Sequence, residues 1–300
     1  MSLPISDIAR LTTPIKINLA LHVVGKRNDG YHLLDSLVYF SFEGDVLHYQ
    51  SSQENRFSVT GSYAKELTNT PNNLVERARQ FMAGRYPNNV KPCHLVLDKL
   101  LPIASGVGGG SGDAAASIEL LRREWAVECN DDDLLKSVVS IGADLPMCLA
   151  ALLYRKPLRA TGIGETLEII ENACSVPMVL INHGQEISTP EIFKRLSHTN
   201  GQPISIDYSA LKTVQSLVSA LENTRNDLYE PAHILAPALA NVLKTLQQSG
   251  ALFARMSGSG ATCFGIYANK KDADEAAKNI KSFQPDWFVK SVETVGSRHS

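Results

Sequence analysis

The sequence predicts an α+β fold in which helices pack on largely antiparallel sheets. Three observations support this prediction: strand and helix patterns alternate along the chain, residues 15–23 alternate between apolar and polar side chains, and a glycine-rich loop at residues 102–116 joins a strand to a helix. The chain has 300 residues, of which 44% are hydrophobic and 20% charged, as is typical of a globular protein. This length suits one large or two medium domains, and we place the boundary near Pro157, between domains 1–157 and 158–300.

Composition and charge exclude several classes of protein. The 29 basic and 31 acidic residues give a net charge of −2, so the chain lacks the basic excess that nucleic acid binding requires, although a single nucleotide could still bind locally. Its five cysteines are odd in number and scattered, which fits neither a disulfide framework nor a zinc site and indicates the cytoplasm. The N-terminus carries no targeting pattern, and no stretch is apolar enough to span a membrane. We therefore expect no nucleic acid, membrane or obligate protein partner.

The first predicted element is a half-buried strand over residues 15–23. Its apolar side chains alternate with polar ones, which places Lys16 and Asn18 on the same face of the strand. A solvated lysine on an outer strand is the alternative interpretation of Lys16. An Asp-Gly pair within residues 25–32 predicts a hairpin connection to a return strand at residues 33–42.

Several polar positions in the first half are candidates for helix caps. Asn73 is predicted to cap a helix, with Glu76 as its capping-box partner. The aspartates at residues 131–133 are predicted to start another helix and not to bind a metal. Asp144 lies in an apolar turn that ends in proline, and it is either a cap or a functional base, since the sequence alone leaves both roles open.

The second half of the chain supplies further strands and helices. A strand is predicted at residues 178–182, and a helix is predicted to begin within residues 188–193. A second glycine loop covers residues 256–262. It is followed by a predicted strand at residues 263–267 and an amphipathic helix at residues 272–283.

The first glycine loop is the strongest candidate for a phosphate site. Five of the seven residues from Gly106 to Gly112 are glycines, which permit positive φ and let several backbone N–H groups approach one anion. A helix is predicted to begin near Ser111, so that the positive end of its dipole points into the loop. The P-loop pattern is absent, and a dinucleotide-binding fingerprint at residues 110–115 lacks the strand that should directly precede it. A purely structural loop remains the alternative.

Three separated segments resemble the motifs of one superfamily. Residues 14–19, 102–116 and 257–262 are similar, in order, to the first, second and third motifs of the galactokinase, homoserine kinase, mevalonate kinase and phosphomevalonate kinase (GHMP) superfamily. The resemblance spans nearly the whole chain and implies a two-domain fold, with a ribosomal-protein-S5-like N-terminal domain and a ferredoxin-like C-terminal domain. Within the superfamily, three more segments resemble the family of kinases that act on 4-diphosphocytidyl-2-C-methyl-D-erythritol, namely residues 30–34, 142–146 and 162–165.

The same resemblance implies an activity and its catalytic residues. Kinases of this family transfer the γ-phosphoryl group of ATP to the 2-hydroxyl of a small molecule, the cytidine diphosphate-linked methylerythritol, in the non-mevalonate route to isoprenoids. Lys16 and Asp144 match the catalytic pair: Asp144 would accept the proton of the attacking hydroxyl, and Lys16 would keep Asp144 ionised. Mg²⁺ is expected as a cofactor beside ATP, with Ser111 as its protein ligand.

The resemblance also assigns residues to the two substrates. Tyr31 and Phe193 would sandwich the cytosine ring, His32 would hydrogen-bond it, and Asn18 and Thr189 would contact the same substrate. Packing within a hairpin and on a helix face are the alternative roles of the two aromatic residues. The residues expected to contact ATP are Asn73, Lys99, Pro102, Ile103, Ala104, Ser105, Gly106, Val107, Gly108, Gly109, Gly110, Ser111 and Gly112.

The loop departs from the family pattern at Ala104, Ser105 and Gly112. Glycines are usual at the first two positions and a serine at the third, so one hydroxyl near the phosphates is missing. Because Ser111 is present, we expect activity with an altered affinity for nucleotide or metal. Three other functions remain open: a related GHMP kinase with a mevalonate-like or homoserine-like substrate, a nucleotide-binding regulator without catalysis, and an oxidoreductase that uses the dinucleotide fingerprint.

Overall fold

The computed structural model describes residues 8–67, 73–103 and 106–296, which form two compact units. The predicted domains 1–157 and 158–300 are continuous stretches of chain, whereas both units are built from separate segments. The chain passes between the units several times, because a β-hairpin near the N-terminus and a short part of the glycine loop pack with the C-terminal half. The first unit contains residues 8–15, 42–67, 73–103 and 108–154, and the second contains residues 16–41, 106–107 and 155–296.

Strands and helices are numbered here in chain order over the described residues. The strands are β1 (Ile8–Thr12), β2 (Ile15–Lys26), β3 (His32–Ser41), β4 (Val46–Ser51), β5 (Arg56–Thr60), β6 (Cys93–Asp98), β7 (Leu158–Gly162), β8 (Thr166–Ile169), β9 (Pro177–Asn182), β10 (Phe253–Met256), β11 (Cys263–Ile266) and β12 (Phe288–Glu293). The α-helices are α1 (Ala64–Leu67), α2 (Leu74–Arg85), α3 (Gly109–Glu124), α4 (Asp131–Ser137), α5 (Leu145–Tyr154), α6 (Thr189–Lys194), α7 (Val214–Glu222), α8 (Tyr229–Leu235), α9 (Ala238–Gln248) and α10 (Lys270–Phe283).

The first unit is a four-stranded sheet packed against helices. Its strand order is β1-β4-β6-β5, and each pair is antiparallel except β5 with β6. Apolar side chains of the sheet and of α2, α3 and α5 form one core. The apolar stripe that the sequence predicts after the glycine loop is buried in this core; its residues are Ala114, Ile118, Leu121 and Trp125. Helix α3 is therefore anchored along its length, which fixes the position of the glycine residues at its start.

Two helix starts in the first unit follow the predicted caps. Asn73 caps α2, and its side-chain oxygen accepts a hydrogen bond from the backbone N–H of Val75 at 2.8 Å. The three aspartates form the first turn of α4, as the sequence predicts. Glu76 does not complete the predicted capping box. Its carboxylate pairs with Arg79 one turn further along α2, because a guanidinium attracts a carboxylate more strongly than a neutral amide does.

The second unit contains two sheets. One has the order β2-β3-β7-β8, in which the predicted hairpin joins β2 to β3. The other has the order β10-β11-β9-β12 with all neighbours antiparallel. Together with α9 and α10, the strands β9 to β12 form the βαββαβ arrangement of a ferredoxin-like fold, so the prediction of an α+β protein is confirmed. Among the described residues, none of the helices has both the length and the apolar character that crossing a membrane requires.

A buried histidine joins strand β2 to two later segments of the second unit. Nε2 of His22 accepts a hydrogen bond from the backbone N–H of Arg225 at 3.1 Å, so Nδ1 carries the proton and donates to the carbonyl oxygen of Gln202 at 2.9 Å. His22 is 2% exposed. Burial lowers the pKa of this imidazole below its ordinary value, because the charged form loses solvation.

We expect His22 to make folding stability sensitive to mild acid. The unfolded chain binds a proton near the ordinary pKa of 6.5 and the folded chain binds it only at lower pH, so the free energy of unfolding falls as the pH drops below 6.5. His22→Gln should flatten this fall, since glutamine does not titrate. Urea unfolding across this pH range measures the slope, and the exposed His198→Gln is the matched control. An equally steep fall in the His22→Gln variant would contradict this account.

Candidate active site

The predicted phosphate loop opens helix α3 in the first unit. Gly108 caps the helix with φ of 69°, and α3 begins at Gly109, two residues before the predicted start at Ser111. The backbone N–H groups of Gly109, Gly110 and Ser111 precede the first intrahelical hydrogen bond, which Gly112 donates to the carbonyl oxygen of Gly108 at 2.7 Å, and they lie at the positive end of the helix dipole. Such a helix start can bind an anion through backbone atoms alone. Ala104 and Ser105, two of the predicted ATP-binding residues, lie outside the described residues.

Close packing explains the glycine at position 112. A Cβ added to Gly112 would lie 2.6 Å from the carbonyl oxygen of Pro14, a distance that real Cβ contacts do not reach. The serine that is usual in the resembling family therefore does not fit here without a shift of the backbone. Ser111 is half-buried in the first turn of α3.

We expect Gly112→Ser to lower the stability of the folded protein and not to restore a hydroxyl that improves ATP binding. The added side chain would overlap the Pro14 carbonyl, and overpacking of this kind costs about 1–3 kcal/mol of stability. The melting temperature and the affinity for ATP measure the two effects, and both should decrease. Gly84→Ala, at an exposed position in the last turn of α2, is the matched control and should be neutral or stabilising by at most about 0.5–1 kcal/mol. A Gly112→Ser variant with unchanged stability and tighter ATP binding would refute the packing argument.

Lys99 is buried between two carboxylates directly after strand β6. Its Nζ donates to Oδ2 of Asp45 at 2.6 Å and to Oδ2 of Asp113 at 2.8 Å, and it is 2% exposed. Burial opposes its charge, but the carboxylates of Asp113 and Asp45 outweigh that effect and keep the pKa of Lys99 above its ordinary value. Burial raises the pKa of Asp113 as well, since the facing ammonium does not fully offset the loss of solvation. Direct contact of Lys99 with ATP stays a prediction.

In the second unit, strand β2 binds parts of both glycine loops. The backbone N–H of Lys16 donates to the carbonyl oxygen of Val107 at 2.9 Å, and that of Asn18 donates to Oγ of Ser257 at 3.0 Å. Lys16 is 6% exposed, so the alternative interpretation of a solvated lysine is wrong. Asp144, the other predicted catalytic residue, belongs to the first unit and directly precedes α5, where its carbonyl oxygen accepts a hydrogen bond from Cys148.

The two glycine loops contact each other within the second unit. Gly106 has φ of 75°, and a Cβ added to it would lie 2.2 Å from the carbonyl oxygen of Gly260. Asn226 also binds the second loop, because its Nδ2 donates to the carbonyl oxygens of Met256 and Gly258, both at 2.8 Å. This contact was not predicted, since no local sequence pattern marks an asparagine that binds a loop thirty residues away.

The amide of Asn18 has a fixed orientation. The hydroxyl of Ser36 donates to the carbonyl oxygen of Ala20 at 2.7 Å, so its oxygen can only accept the hydrogen bond from Nδ2 of Asn18, at 2.8 Å. Oδ1 of Asn18 is buried without a hydrogen-bond partner, and a Cβ added to Gly258 would lie 3.1 Å from it. Asn18 thus presents an acceptor oxygen, not a donor, beside the second glycine loop.

The residues expected to bind cytosine lie in the second unit. His32 stacks on Phe193 with ring centroids 5.0 Å apart and an interplanar angle of 22°. Burial lowers the pKa of His32 and the charge of Lys26 lowers it further, which favours the neutral imidazole. Oγ1 of Thr189, in the first turn of α6, lies 2.8 Å from Oγ of Ser259. Tyr31 is 59% exposed.

Comparison with known proteins shows the family of this chain. Its residues 73–151 match the GHMP kinases N terminal domain, and residues 209–286 match the GHMP kinases C terminal domain. It is 53% identical over 291 residues to 4-diphosphocytidyl-2-C-methyl-D-erythritol kinase of Bartonella tribocorum, covering 97% of each chain, and 42% identical to the enzyme of that name of Brucella melitensis, again covering 97% of each chain. The chain belongs to the 4-diphosphocytidyl-2-C-methyl-D-erythritol kinase family of GHMP kinases.

Solved structures agree with this family. A crystal structure of 4-(cytidine 5'-diphospho)-2C-methyl-D-erythritol kinase matches with a TM-score of 0.79 and 26% identity, covering 96% of this chain and 100% of that chain. A homoserine kinase from Cytophaga hutchinsonii matches with a TM-score of 0.68 and 15% identity, covering 99% of this chain and 98% of that chain, so it shares the fold. As a GHMP kinase, the chain uses ATP as phosphoryl donor and acts on a small molecule.

The donor set of this GHMP kinase gives a limited fit to Mg²⁺. The Ser111 hydroxyl at the start of α3 is a hard oxygen ligand of the kind that Mg²⁺ prefers. Within the part of the chain that the structure describes, no group of three or more His, Cys, Asp or Glu residues could hold a metal ion. Mg²⁺ in kinases is usually bound through one or two carboxylates together with substrate phosphates, whereas Ser111 supplies a hydroxyl, so the phosphates would provide most of the ligands.

Proposed function

We propose that the chain transfers the γ-phosphoryl group of ATP to the 2-hydroxyl of 4-diphosphocytidyl-2-C-methyl-D-erythritol, giving the 2-phosphate and ADP in non-mevalonate isoprenoid biosynthesis. The observation that carries this proposal is the 53% identity to a kinase of that name over 97% of both chains. All five cysteines are free, which supports a cytoplasmic enzyme.

Phosphoryl transfer depends on positioning and charge stabilisation more than on covalent chemistry. The amides of Gly109, Gly110 and Ser111 would hold the phosphates of ATP, since they precede the first intrahelical hydrogen bond of α3 and lie at its positive end. Mg²⁺, held by the phosphates and the Ser111 hydroxyl, would neutralise the charge that develops on the transferred group. In this proposal Asn73 contacts the nucleotide from its position at the start of α2.

Two ionisable side chains have proposed roles at the acceptor hydroxyl. Asp144 accepts the proton of the attacking 2-hydroxyl, a contribution that general bases typically make at about 10²–10⁴-fold. Lys16, which is buried on β2, supplies positive charge near the reacting groups. Oδ1 of Asn18 is the acceptor for a hydroxyl of the same substrate, because the orientation of its amide leaves that oxygen without a partner.

The cytidine end of the substrate would bind in the second unit. The His32–Phe193 stack provides an aromatic surface, and base stacking on such a surface is worth about 1–3 kcal/mol. Thr189 lies beside the second glycine loop, and Tyr31 is exposed in the hairpin next to His32. These residues differ in type from the backbone amides proposed for ATP, so the two substrates are recognised by separate chemistry.

A direct kinase assay tests this function. Incubation with ATP, Mg²⁺ and the cytidyl substrate should release ADP, and Asp144→Asn should lower kcat at least about 100-fold while ATP affinity changes less than about twofold. Asp132→Asn, an exposed aspartate in the first turn of α4, is the matched control and should retain full activity. No ADP release above background from the wild-type chain would disprove the proposal, and an active Asp144→Asn variant would disprove the assigned base.

The second candidate function is that of a related GHMP kinase, which acts on a mevalonate-like or homoserine-like alcohol. CMP and CDP should inhibit the proposed enzyme competitively with the alcohol, because only a cytidine site binds them. Phe193→Leu should weaken that inhibition and raise the KM of the cytidyl substrate roughly tenfold, as loss of a stacking partner predicts, with no effect on the KM of ATP. Turnover of mevalonate or homoserine without inhibition by CDP would favour the second candidate.

A further inference from the structure

A cluster of three charged residues, Asp45, Lys99 and Asp113, holds both ends of the phosphate loop. Before the loop, Oδ1 of Asp45 accepts hydrogen bonds from the backbone N–H groups of Leu100 and Leu101, at 2.6 and 2.8 Å. After the loop, Asp113 lies in the second turn of α3, and its carboxylate meets the same ammonium that Asp45 binds. The two ends of the loop are thus joined through Lys99.

The ammonium also lies directly behind the first turn of α3. A Cβ added to Gly109 would lie 3.3 Å from Nζ of Lys99, so the buried ammonium lies close to the first turn of α3. Carboxylates take two of its three N–H groups, and all three side chains of the cluster are at most 3% exposed. This position suits a group that supports the helix start better than one that reaches a ligand.

We propose that Asp45 and Asp113 are positioning residues, which use the Lys99 ammonium to fix the phosphate loop and do not themselves touch the nucleotide. The inference rests on the proposed function in one respect, namely that the start of α3 binds the phosphates of ATP. It assigns a role to Asp45, which no sequence motif marks. In this proposal Lys99 stabilises the start of α3 and does not contact ATP directly.

The variant Asp45→Asn distinguishes a supporting role of Lys99 at the loop from direct contact of Lys99 with ATP. The Asn oxygen still accepts from Leu100 and Leu101, but the amide group that replaces Oδ2 no longer binds the ammonium. If Lys99 supports the loop, losing one carboxylate loosens the helix start and weakens ATP binding. If Lys99 contacts ATP directly, removing a competing carboxylate leaves its charge more available, and ATP binding stays equal or tightens.

ATP affinity is measured by calorimetry on the full chain without an acceptor alcohol. We expect about tenfold weaker binding for Asp45→Asn, since removing a partner that orients a binding group typically costs 10- to 100-fold. Asp113→Asn should weaken ATP binding to the same extent, because Asp113 lies at the other end of the loop. It replaces Asp45→Asn in this measurement if that variant does not fold. The KM of the acceptor should change less than about twofold, because the residues proposed to bind its cytidine end belong to the second unit. Unchanged or tighter ATP binding in both variants would overturn the proposal.

Thr13→Val is the matched control for a general loss of packing. Oγ1 of Thr13 accepts a hydrogen bond from the backbone N–H of Asp45 at 2.9 Å, so the variant disturbs the same turn without touching the charges. ATP affinity should change less than about twofold in this variant, and an effect as large as that of Asp45→Asn would overturn the proposal. A wild-type chain that binds ATP but phosphorylates no acceptor would refute the proposed function alone, whereas one that does not bind ATP would refute both.

Discussion

Direct contact between backbone segments at glycines is the constraint on which the candidate site residues of each unit depend. In the first unit, Gly112 lets the start of α3 pack against the Pro14 carbonyl. In the second unit, Gly106 lets the phosphate loop meet Gly260. A Cβ at Gly112 would push the start of α3 away from the Pro14 carbonyl, and a Cβ at Gly106 would push the first glycine loop away from the second, whose Ser257 binds strand β2. Packing alone therefore requires glycine at both positions.

Buried charge is the second feature that sets the form of the phosphate loop. Replacing a buried ion pair by apolar residues is often neutral or stabilising, so the cluster of Asp45, Lys99 and Asp113 is weak evidence for stability by itself. Its geometry supplies something that apolar packing does not. Each hydrogen bond has a direction, and together they specify where residues 99–101 stand relative to the second turn of α3. A loop that binds phosphate through backbone amides needs that precision, because the amides cannot adjust as a flexible side chain can.

Local patterns in the sequence predicted much of the fold and the place of the first glycine loop at the start of a helix. The alternation in residues 15–23 predicted strand β2, but the strand is buried on both faces and not half-buried as predicted. The Asn73 cap predicted the start of α2, and the apolar stripe predicted helix α3. The start of α3 lies two residues earlier than predicted, because Gly108 adopts positive φ and caps the helix. Asp45 and Asn226 could not be predicted, since their roles arise from contacts with segments far along the chain. The two discontinuous units were not predictable for the same reason.

The charge state of His32 connects the second unit to the chemistry of cytosine. The edge of cytosine offers an amino donor together with acceptor atoms, so a partner that can both donate and accept suits it best. Neutral imidazole has one donor and one acceptor nitrogen, whereas imidazolium has only donors. Burial and the charge of Lys26 lower the pKa of His32 and so favour the neutral form. Under the proposed function, the same burial that lets His32 stack on Phe193 also preserves the acceptor that recognition of an amino group requires.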